Sequence, residues 1–256
     1  MSSDYRTGGF MATDVSLSAG KALEVFRFLC EAERPCSAAT IAKETGFPRT
    51  VALRMIATLE RYDFVERDEE TGLLAVNPLV LHQVQKGLLN NPVLSRVDRI
   101  LQDVAQRTGD GAIYVIPSGD KAVVINRVEG SAEMQVRASE VGMELPLHCG
   151  GAPLAILAHS SDAFIENYLA SPLVRRTDAT VTDPVRLRAI VQTVRENGYA
   201  VGNCDLFEFL VAVGAPVFDH RGDLAGAVSV GNIVQRFPPE RIKEVGKILV
   251  EATRRF

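Results

Sequence analysis

The stretch SAATIAKETGFPRTVALRMIATLER, residues 37–61, decides the fold of the N-terminal part of the chain. Ser37 is a suitable N-cap for a short helix over Ala38–Thr45. Gly46-Phe47-Pro48 then forms a turn, because glycine adopts the left-handed conformation that follows a helix and proline suits the start of the next one. A second helix over Arg49–Arg61 completes a helix-turn-helix.

The helix over Arg49–Arg61 has two different faces. One carries apolar residues at helical spacing, namely Ala52, Met55, Ile56 and Leu59. The other is polar and basic, and in this geometry such a face contacts phosphates and base edges. The candidate DNA-binding residues are Arg49, Thr50, Leu53, Arg54, Thr58 and Arg61. Two points stay open, because Leu53 fits the core equally well and the arginines fit a solvated helix face equally well.

Flanking segments extend the motif to a winged helix. Apolar residues recur at three- and four-residue spacing over Ser18–Ala32, which predicts a preceding helix. Two short alternating runs, Phe64–Arg67 and Leu73–Val76, predict a β-hairpin wing after the second helix.

Charge is distributed unevenly in this module. Residues 1–78 hold 9 Lys and Arg against 12 Asp and Glu, yet Arg49–Arg61 holds three arginines against Glu60. Acidic residues instead crowd the wing turn at Asp68, Glu69 and Glu70, where contact with phosphate is unfavourable. We therefore expect the helix to bind DNA and the wing to contribute little.

The remainder of the chain alternates helices and strands. Helices are predicted at Leu79–Leu89, Val93–Thr108, Ala152–His159, Ala163–Leu169, Pro184–Asn197 and Pro239–Arg255. Strands are predicted at Ala112–Ile116, Ala122–Val128, Glu133–Ala138, Leu210–Phe218 and Leu224–Val230. The mixture predicts an α/β mixed chain, with a winged helix-turn-helix followed by an α+β domain built on one antiparallel sheet.

Four segments follow from these patterns. We predict a disordered arm over 1–15, a DNA-binding domain over 16–78, a linker helix over 79–92 and an effector-binding domain over 93–256. With 46% hydrophobic and 23% charged residues and no long apolar run or signal peptide, a cytoplasmic location is expected. The net charge of −4 argues mildly against a protein coated in nucleic acid, and four scattered cysteines indicate reduced thiols.

Three segments resemble the IclR family of transcription regulators, and the resemblance runs from Ser16 onward. The first is Pro48–Leu59, which matches the recognition-helix pattern of that family. The second is Val141–His148, which matches a Val-Gly…Pro-Leu-His segment. The third combines Asn197–Ala200 with Gly214–Asp219. The resemblance implies a GAF-like fold for the α+β effector domain, a homodimer or homotetramer, a palindromic double-stranded DNA operator and a small organic effector. No cofactor is predicted.

Several positions depart from the family pattern. Val51 replaces a usual Thr, which removes one hydroxyl from the recognition helix. Pro153-Leu154 replaces Gly-Lys, so the helix that follows is expected to start later or turn away. Gly202 and Ala212 stand where family members have polar residues that bind small carboxylates.

Positions matched to the family outline an effector pocket. Its residues are Met134, Leu145, Gly151, Ala152, Gly202, Asp205, Phe209 and Ala212, most of them small or apolar. Arg137, on the strand predicted over Glu133–Ala138, is a candidate clamp for a carboxylate, and the alternative is that it points to solvent. The small residues favour an effector larger and less polar than glyoxylate or pyruvate.

Other chemistry has less support. His148, Cys149, Cys204 and Asp205 could bind zinc if they converge, although their spacing does not favour a metal site. The sequence holds no nucleophile elbow, P-loop or dinucleotide-binding motif, so no catalytic residue is predicted. The alternatives are a sensor whose helix-turn-helix serves only dimerisation, and a small-molecule enzyme.

Overall fold

The structure is a computed structural model that describes residues 16–89, 92–132 and 136–254. The chain divides into two compact units, one ending at Asn91 and the other beginning at Pro92. The arm predicted over 1–15 lies outside the described residues.

The N-terminal unit is a helix-turn-helix followed by a hairpin. Its elements are α1 (Leu17–Glu31), α2 (Ala38–Thr45), α3 (Arg49–Arg61), β1 (Val65–Arg67), β2 (Leu74–Val76) and α4 (Leu79–Leu89). β1 and β2 pair antiparallel and form the wing. The core gathers apolar residues from α1, α2, α3 and both strands, including Val25, Ile41, Ile56 and Leu74.

Local interactions explain why α2 and α3 begin and end where they do. The Ser37 side chain accepts a hydrogen bond from the Thr40 backbone N–H at 3.1 Å, which caps α2. Gly46 ends α2 with φ of 70°, a left-handed conformation that glycine adopts without strain. Both helices match the predicted bounds, and the winged helix-turn-helix is confirmed.

The C-terminal unit is an antiparallel sheet with helices on both faces. Its helices are α5 (Pro92–Thr108), α6 (Gly151–His159), α7 (Asp162–Leu169), α8 (Pro184–Asn197) and α9 (Pro239–Thr253). Its strands are β3 (Ala112–Ser118), β4 (Lys121–Val128), β5 (Glu144–Pro146), β6 (Ala200–Asn203), β7 (Leu210–Phe218) and β8 (Leu224–Ile233). The sheet order is β5-β4-β3-β8-β7-β6, and every neighbouring pair is antiparallel. The predicted mixed α/β fold class is confirmed.

Two separate apolar clusters hold the helices to this sheet. One joins α6, α7 and α8 to it through residues such as Ile156, Leu169 and Leu187. The other joins α5 and α9 through residues such as Leu101, Val104 and Leu249. The sheet is therefore covered on both faces.

The strand predicted over Glu133–Ala138 is wrong in its described part. Residues 136–140 have no regular secondary structure, and residues 133–135 lie outside the described residues. The Arg127 guanidinium donates to the carbonyl oxygens of Val136 and Ser139, at 3.2 Å and 3.0 Å, so these carbonyls are taken by a side chain. β5 occupies the edge of β4 instead. The sequence patterns missed β5 and β6, because each is short and one contains a proline.

α6 also begins differently from the expectation. It starts at Gly151, and Pro153 lies within its first turn. A proline there is tolerated, since the first N–H groups of a helix have no partner within the helix. The expectation that Pro153 delays or redirects this helix is wrong.

Candidate functional site

The exposed face of α3 carries the predicted DNA-binding residues. Ala52, Met55, Ile56 and Leu59 are buried against α1 and α2, as the apolar spacing predicts. The residues exposed to solvent are Arg49, Thr50, Leu53, Arg54, Ala57, Thr58 and Arg61. Leu53, which the sequence left undecided, is 41% exposed and lies on this face.

The arginines of this face are free to meet an anion. Arg49, Arg54 and Arg61 form no ion pair with any residue that the structure describes. Arg67 on β1 differs, because its Nε lies 2.9 Å from Glu60 Oε1. The positive charge of the face is therefore concentrated on α3.

Val51 is half-buried and packs against the core of the N-terminal unit. It lies at the border of the exposed face, because Arg54 and Thr58, three and seven residues further on, are both exposed. The missing hydroxyl at this position therefore removes a polar group from the edge of that face.

The wing turn keeps its negative charge. Asp68 accepts hydrogen bonds from the Thr71 N–H at 2.7 Å and the Thr71 hydroxyl at 2.6 Å. These bonds hold the pKa of Asp68 below its ordinary value, and the carboxylate is ionised at neutral pH. Like charges repel, which makes this turn a poor contact for phosphate.

A cavity of about 50 Å³, here called the effector cavity, lies between the start of α6 and the sheet. Four of the predicted pocket residues line it, namely Leu145, Gly151, Ala152 and Ala212. Polar groups come from Arg127, Ser139 and Ser229. The site is thus small and mixed in polarity.

Two glycines allow α6 to approach the sheet backbone. A Cβ on Gly151 would lie 2.7 Å from the Gly214 nitrogen, and a Cβ on Gly214 would lie 2.3 Å from the Gly151 carbonyl carbon. Neither position has room for a side chain. The close approach places the N-terminal turn of α6 at the cavity, where its unpaired N–H groups favour an anion.

Arg127 is the only charged side chain among the described residues that line this cavity. It lies on β4, is 14% exposed and pairs with both carboxylate oxygens of Glu129, through Nε and Nη2, each at 3.2 Å. Carbonyls of the irregular segment fix it further, as described above. The sequence did not single it out, because its partners lie on a segment without a regular pattern.

Arg137, the predicted clamp, lies elsewhere. Its side chain is 70% exposed and pairs with Glu129 at 3.0 Å. It does not line the effector cavity. Arg137 therefore points to solvent, which is the alternative given in the sequence analysis.

The other predicted pocket residues surround the cavity or lie apart from it. Gly202 packs on Gly150, where a Cβ would lie 2.5 Å from the Gly150 Cα. Asp205 accepts a hydrogen bond from the Gly150 N–H at 3.1 Å, and burial raises the pKa of its carboxyl. Phe209 is 53% exposed and does not line the cavity. Met134 lies outside the described residues.

Two buried threonines hold the loop that carries Asp205. Thr177 Oγ1 donates to the Cys204 carbonyl at 2.7 Å, and Thr180 Oγ1 donates to the Asp205 carbonyl at 2.6 Å. Cys204 itself has φ of 56°, an unfavourable conformation for a side chain other than glycine. The hydroxyls therefore fix a strained turn that sets the position of Asp205 and of Leu206, which lines the cavity.

Of the residues considered for zinc, His148 is already hydrogen-bonded through both ring nitrogens and Cys149 is buried. The His148 ring nitrogens lie 2.7 Å from the Tyr168 hydroxyl and 3.0 Å from the Val174 carbonyl oxygen. Burial raises the pKa of Cys149 to about 12, so its thiol stays protonated. Both residues contribute to packing.

The chain joins a winged helix-turn-helix, whose basic face has no ion-pair partners among the described residues, to an α+β unit that contains a cavity. This combination defines a ligand-responsive DNA-binding regulator. Comparisons with known proteins give the family. Residues 85–256 match the model described as bacterial transcriptional regulator IclR C-terminal, and residues 18–69 match the IclR helix-turn-helix domain. The chain belongs to the IclR family of transcription regulators.

Individual relatives agree with this assignment. The transcriptional repressor IclR of Escherichia coli K12 is 24% identical over 246 residues, covering 95% of this chain and 89% of that protein. The crystal structure of an IclR regulator from Alicyclobacillus acidocaldarius has a TM-score of 0.79 at 25% identity, covering 94% of this chain and 98% of that one. An IclR homologue from Microbacterium hydrocarbonoxydans, complexed with 4-hydroxybenzoate, has a TM-score of 0.72 at 18% identity, covering 93% and 100%.

These relatives are DNA-binding transcription regulators, and the function predicted from sequence is confirmed at this level. Within the described ranges, no helix has both the length and the apolar character needed to cross a membrane.

Proposed function

We propose that this protein regulates transcription by binding a palindromic operator through α3 as a homodimer or homotetramer, under the control of a small carboxylate. The observation that carries the proposal is the exposed face of α3, whose three arginines lack ion-pair partners among the described residues. The proposed boundaries are 16–78 for DNA binding, 79–92 for the linker and 93–256 for the effector domain. The bacterial cytoplasm, where the operator is found, is the proposed location, and no enzymatic activity is proposed.

The DNA contacts are assigned to α3. Thr50 and Arg54 lie near its N-terminal end, where residues reach base edges, and Arg49 and Arg61 supply contacts to phosphate. Leu53 is exposed beside them and suits a thymine methyl group. A bidentate arginine contact to guanine contributes about 1–3 kcal/mol of discrimination.

A binding assay tests this assignment. Fluorescence anisotropy with DNA from upstream of the protein's own gene should show Arg54→Ala binding about tenfold more weakly or worse. Arg221→Ala is a matched control, because it removes the same charge from an exposed turn in the other unit. If Arg54→Ala binds this DNA as tightly as Arg221→Ala and the wild type do, the helix-turn-helix serves only dimerisation and the protein is a sensor.

The effector is assigned from the cavity. The start of α6 favours an anion, and Ser229 lines the same space. Arg127 is paired with Glu129 and donates to Val136 and Ser139, so it has one Nη1 hydrogen left to offer a carboxylate. A volume of about 50 Å³ holds a ligand of only a few non-hydrogen atoms, since one water needs roughly 10–15 Å³ on this measure. This favours a small carboxylate over the larger, less polar effector expected from the sequence. The Microbacterium homologue is complexed with 4-hydroxybenzoate, which supports the carboxylate of this assignment and not its small size.

Calorimetry with acetate, pyruvate and glyoxylate tests this part of the proposal. We expect binding of at least one of these acids and a loss of about tenfold in affinity for Arg127→Gln. Binding that is the same in the variant would remove Arg127 from the site.

Self-association is proposed from an apolar stripe on α4. Leu81, Val84 and Leu88 recur at helical spacing and are 62%, 48% and 43% exposed. A second copy that covers this stripe would bury it, and two copies would present two α3 helices to two half-sites. An effector that shifts the population of dimer arrangements would then alter operator affinity. Sedimentation of Val84→Glu should show a shift toward monomer.

A further inference from the structure

A second cavity of the C-terminal unit, here called the Tyr168 cavity, is larger than the effector cavity. It has a volume of about 250 Å³, against about 50 Å³ for the effector cavity. It lies between the β4–β5 edge and the loop after α7, and its lining includes Leu145, Pro146, Tyr168, Leu173 and Val174. A dry cavity of about 150 Å³ is enough to bind benzene, so this space accommodates a six-membered ring.

The polar atoms at the base of the Tyr168 cavity are already paired. The Tyr168 hydroxyl accepts a hydrogen bond from the Leu147 N–H at 3.0 Å and lies 2.7 Å from His148 Nδ1. His148 Nε2 lies 3.0 Å from the Val174 carbonyl oxygen. These bonds fix the Tyr168 side chain in place and leave no buried polar group that a ligand must satisfy. The base of the cavity therefore suits an apolar or aromatic group.

The charges at the rim select the polar end of a ligand. Lys121 is paired with Glu144. Arg176 is exposed and forms no ion pair with any described residue, whereas its backbone N–H donates to Thr180 Oγ1 at 3.0 Å. The guanidinium of Arg176 thus has no ion-pair partner among the described residues, whereas the backbone of Arg176 is held in place. Asp120, also at the rim, repels any anion, so a carboxylate is favoured only on the Arg176 side of the opening.

We propose that the Tyr168 cavity is a second small-molecule site, which binds a monocyclic aromatic monocarboxylate. The ring packs against Tyr168 and Leu173, and the carboxylate pairs with Arg176. The site is separate from the effector cavity, which is too small for a ring.

The two cavities share a wall. Leu145 lines both of them. Arg176 is also next to Thr177, whose hydroxyl holds the Cys204 carbonyl of the loop beside the effector cavity. A ligand in the Tyr168 cavity therefore contacts the same side chain as the effector, which lets the protein respond to two acids. Such coupling is reciprocal, so each acid changes the affinity for the other by the same factor.

Calorimetric titration of the full chain with benzoate tests the proposal. We expect one benzoate per chain in the Tyr168 cavity, with affinity reduced about tenfold or more in Arg176→Gln. Arg175→Gln is the matched control, because it removes the same charge from the neighbouring residue, which does not line the cavity. Acetate, which has the carboxylate without the ring, should change the affinity for benzoate only up to a limit, as a ligand of the other cavity does, and should not displace benzoate.

A second variant tests the ring position without touching a charge. Leu173→Trp places a larger side chain in the cavity and should abolish benzoate binding while far-UV circular dichroism stays unchanged. No benzoate binding to the wild type, or equal binding to the wild type and Arg176→Gln, would overturn the proposal. Loss of benzoate binding in Arg127→Gln alone would place the ring in the effector cavity and would also overturn it. None of these outcomes depends on DNA binding, which the anisotropy assay measures separately.

Discussion

Replacement of Thr180 by valine should destabilise the C-terminal unit strongly, although the side chain keeps its shape. Thr180 is 3% exposed, and its hydroxyl serves three backbone groups at once. It accepts from the N–H groups of Arg176 and Thr177 at 3.0 Å and 2.8 Å, and it donates to the Asp205 carbonyl at 2.6 Å. Valine leaves all three groups without this partner.

The magnitude follows from the number of unpaired groups. A buried backbone group that loses its partner destabilises a protein by about 1–3 kcal/mol. The Thr177 N–H is fully buried, whereas the bonds to Arg176 and Asp205 are partly buried and can be replaced in part by water. We therefore expect Thr180→Val to lower the free energy of unfolding by about 2–4 kcal/mol. This is a large part of the roughly 5–15 kcal/mol typical of a folded protein.

Urea unfolding followed by far-UV circular dichroism measures this effect. The chain has no tryptophan, so fluorescence is the weaker probe. With a slope of about 2 kcal/mol per molar urea, the midpoint of the C-terminal unit should fall by about 1–2 M. Thr193→Val is the matched control, because Thr193 makes one exposed hydrogen bond, to the Ala189 carbonyl at 3.0 Å. That variant should change stability by less than about 0.5 kcal/mol.

One result would refute the reasoning. If Thr180→Val shifts the midpoint no more than Thr193→Val does, the buried hydroxyl does not hold the loop at Cys204 and Asp205. The position of that loop would then depend on apolar packing alone.

Four further predictions concern other parts of the chain. Gly214→Ala should lower stability by about 1–3 kcal/mol in urea unfolding, because its Cβ would lie 2.3 Å from the Gly151 carbonyl carbon. Gly20→Ala should instead raise it by about 0.5–1 kcal/mol, since that position lies in α1 with nothing within 4 Å of the new methyl group. Burial lowers the pKa of His148 from its ordinary 6.5, so in acid the unfolded chain binds a proton that the folded chain does not, and stability falls below about pH 6.5. The urea midpoint of His148→Gln should therefore fall less than that of the wild type between about pH 7.5 and about pH 5.5. Arg61→Ala should reduce the dependence of DNA affinity on salt, with the slope of the log–log plot smaller by about 1.

The sequence alone was sufficient for the helix-turn-helix. Capping at Ser37, the turn at Gly46 and the apolar spacing in α3 are interactions between residues a few positions apart, so the pattern contains them directly. The same holds for α8 and β7, whose bounds match the prediction. Family motifs added the expectation that α6 and β7 border a pocket.

The tertiary structure decided what depends on residues distant in the sequence. The exposure of Leu53 follows from how α3 packs on α1 and α2, and periodicity alone left it open. The irregular segment after β4 follows from the guanidinium of Arg127, which takes carbonyls that a strand would pair. The sequence predicted Arg137 at the effector cavity, and the structure places Arg127 there. Strand alternation predicts where a side chain points, but Arg137 lies in an irregular segment to which alternation does not apply. Sequence patterns record local backbone preferences, whereas cavities are formed where distant segments fail to fill the space between them.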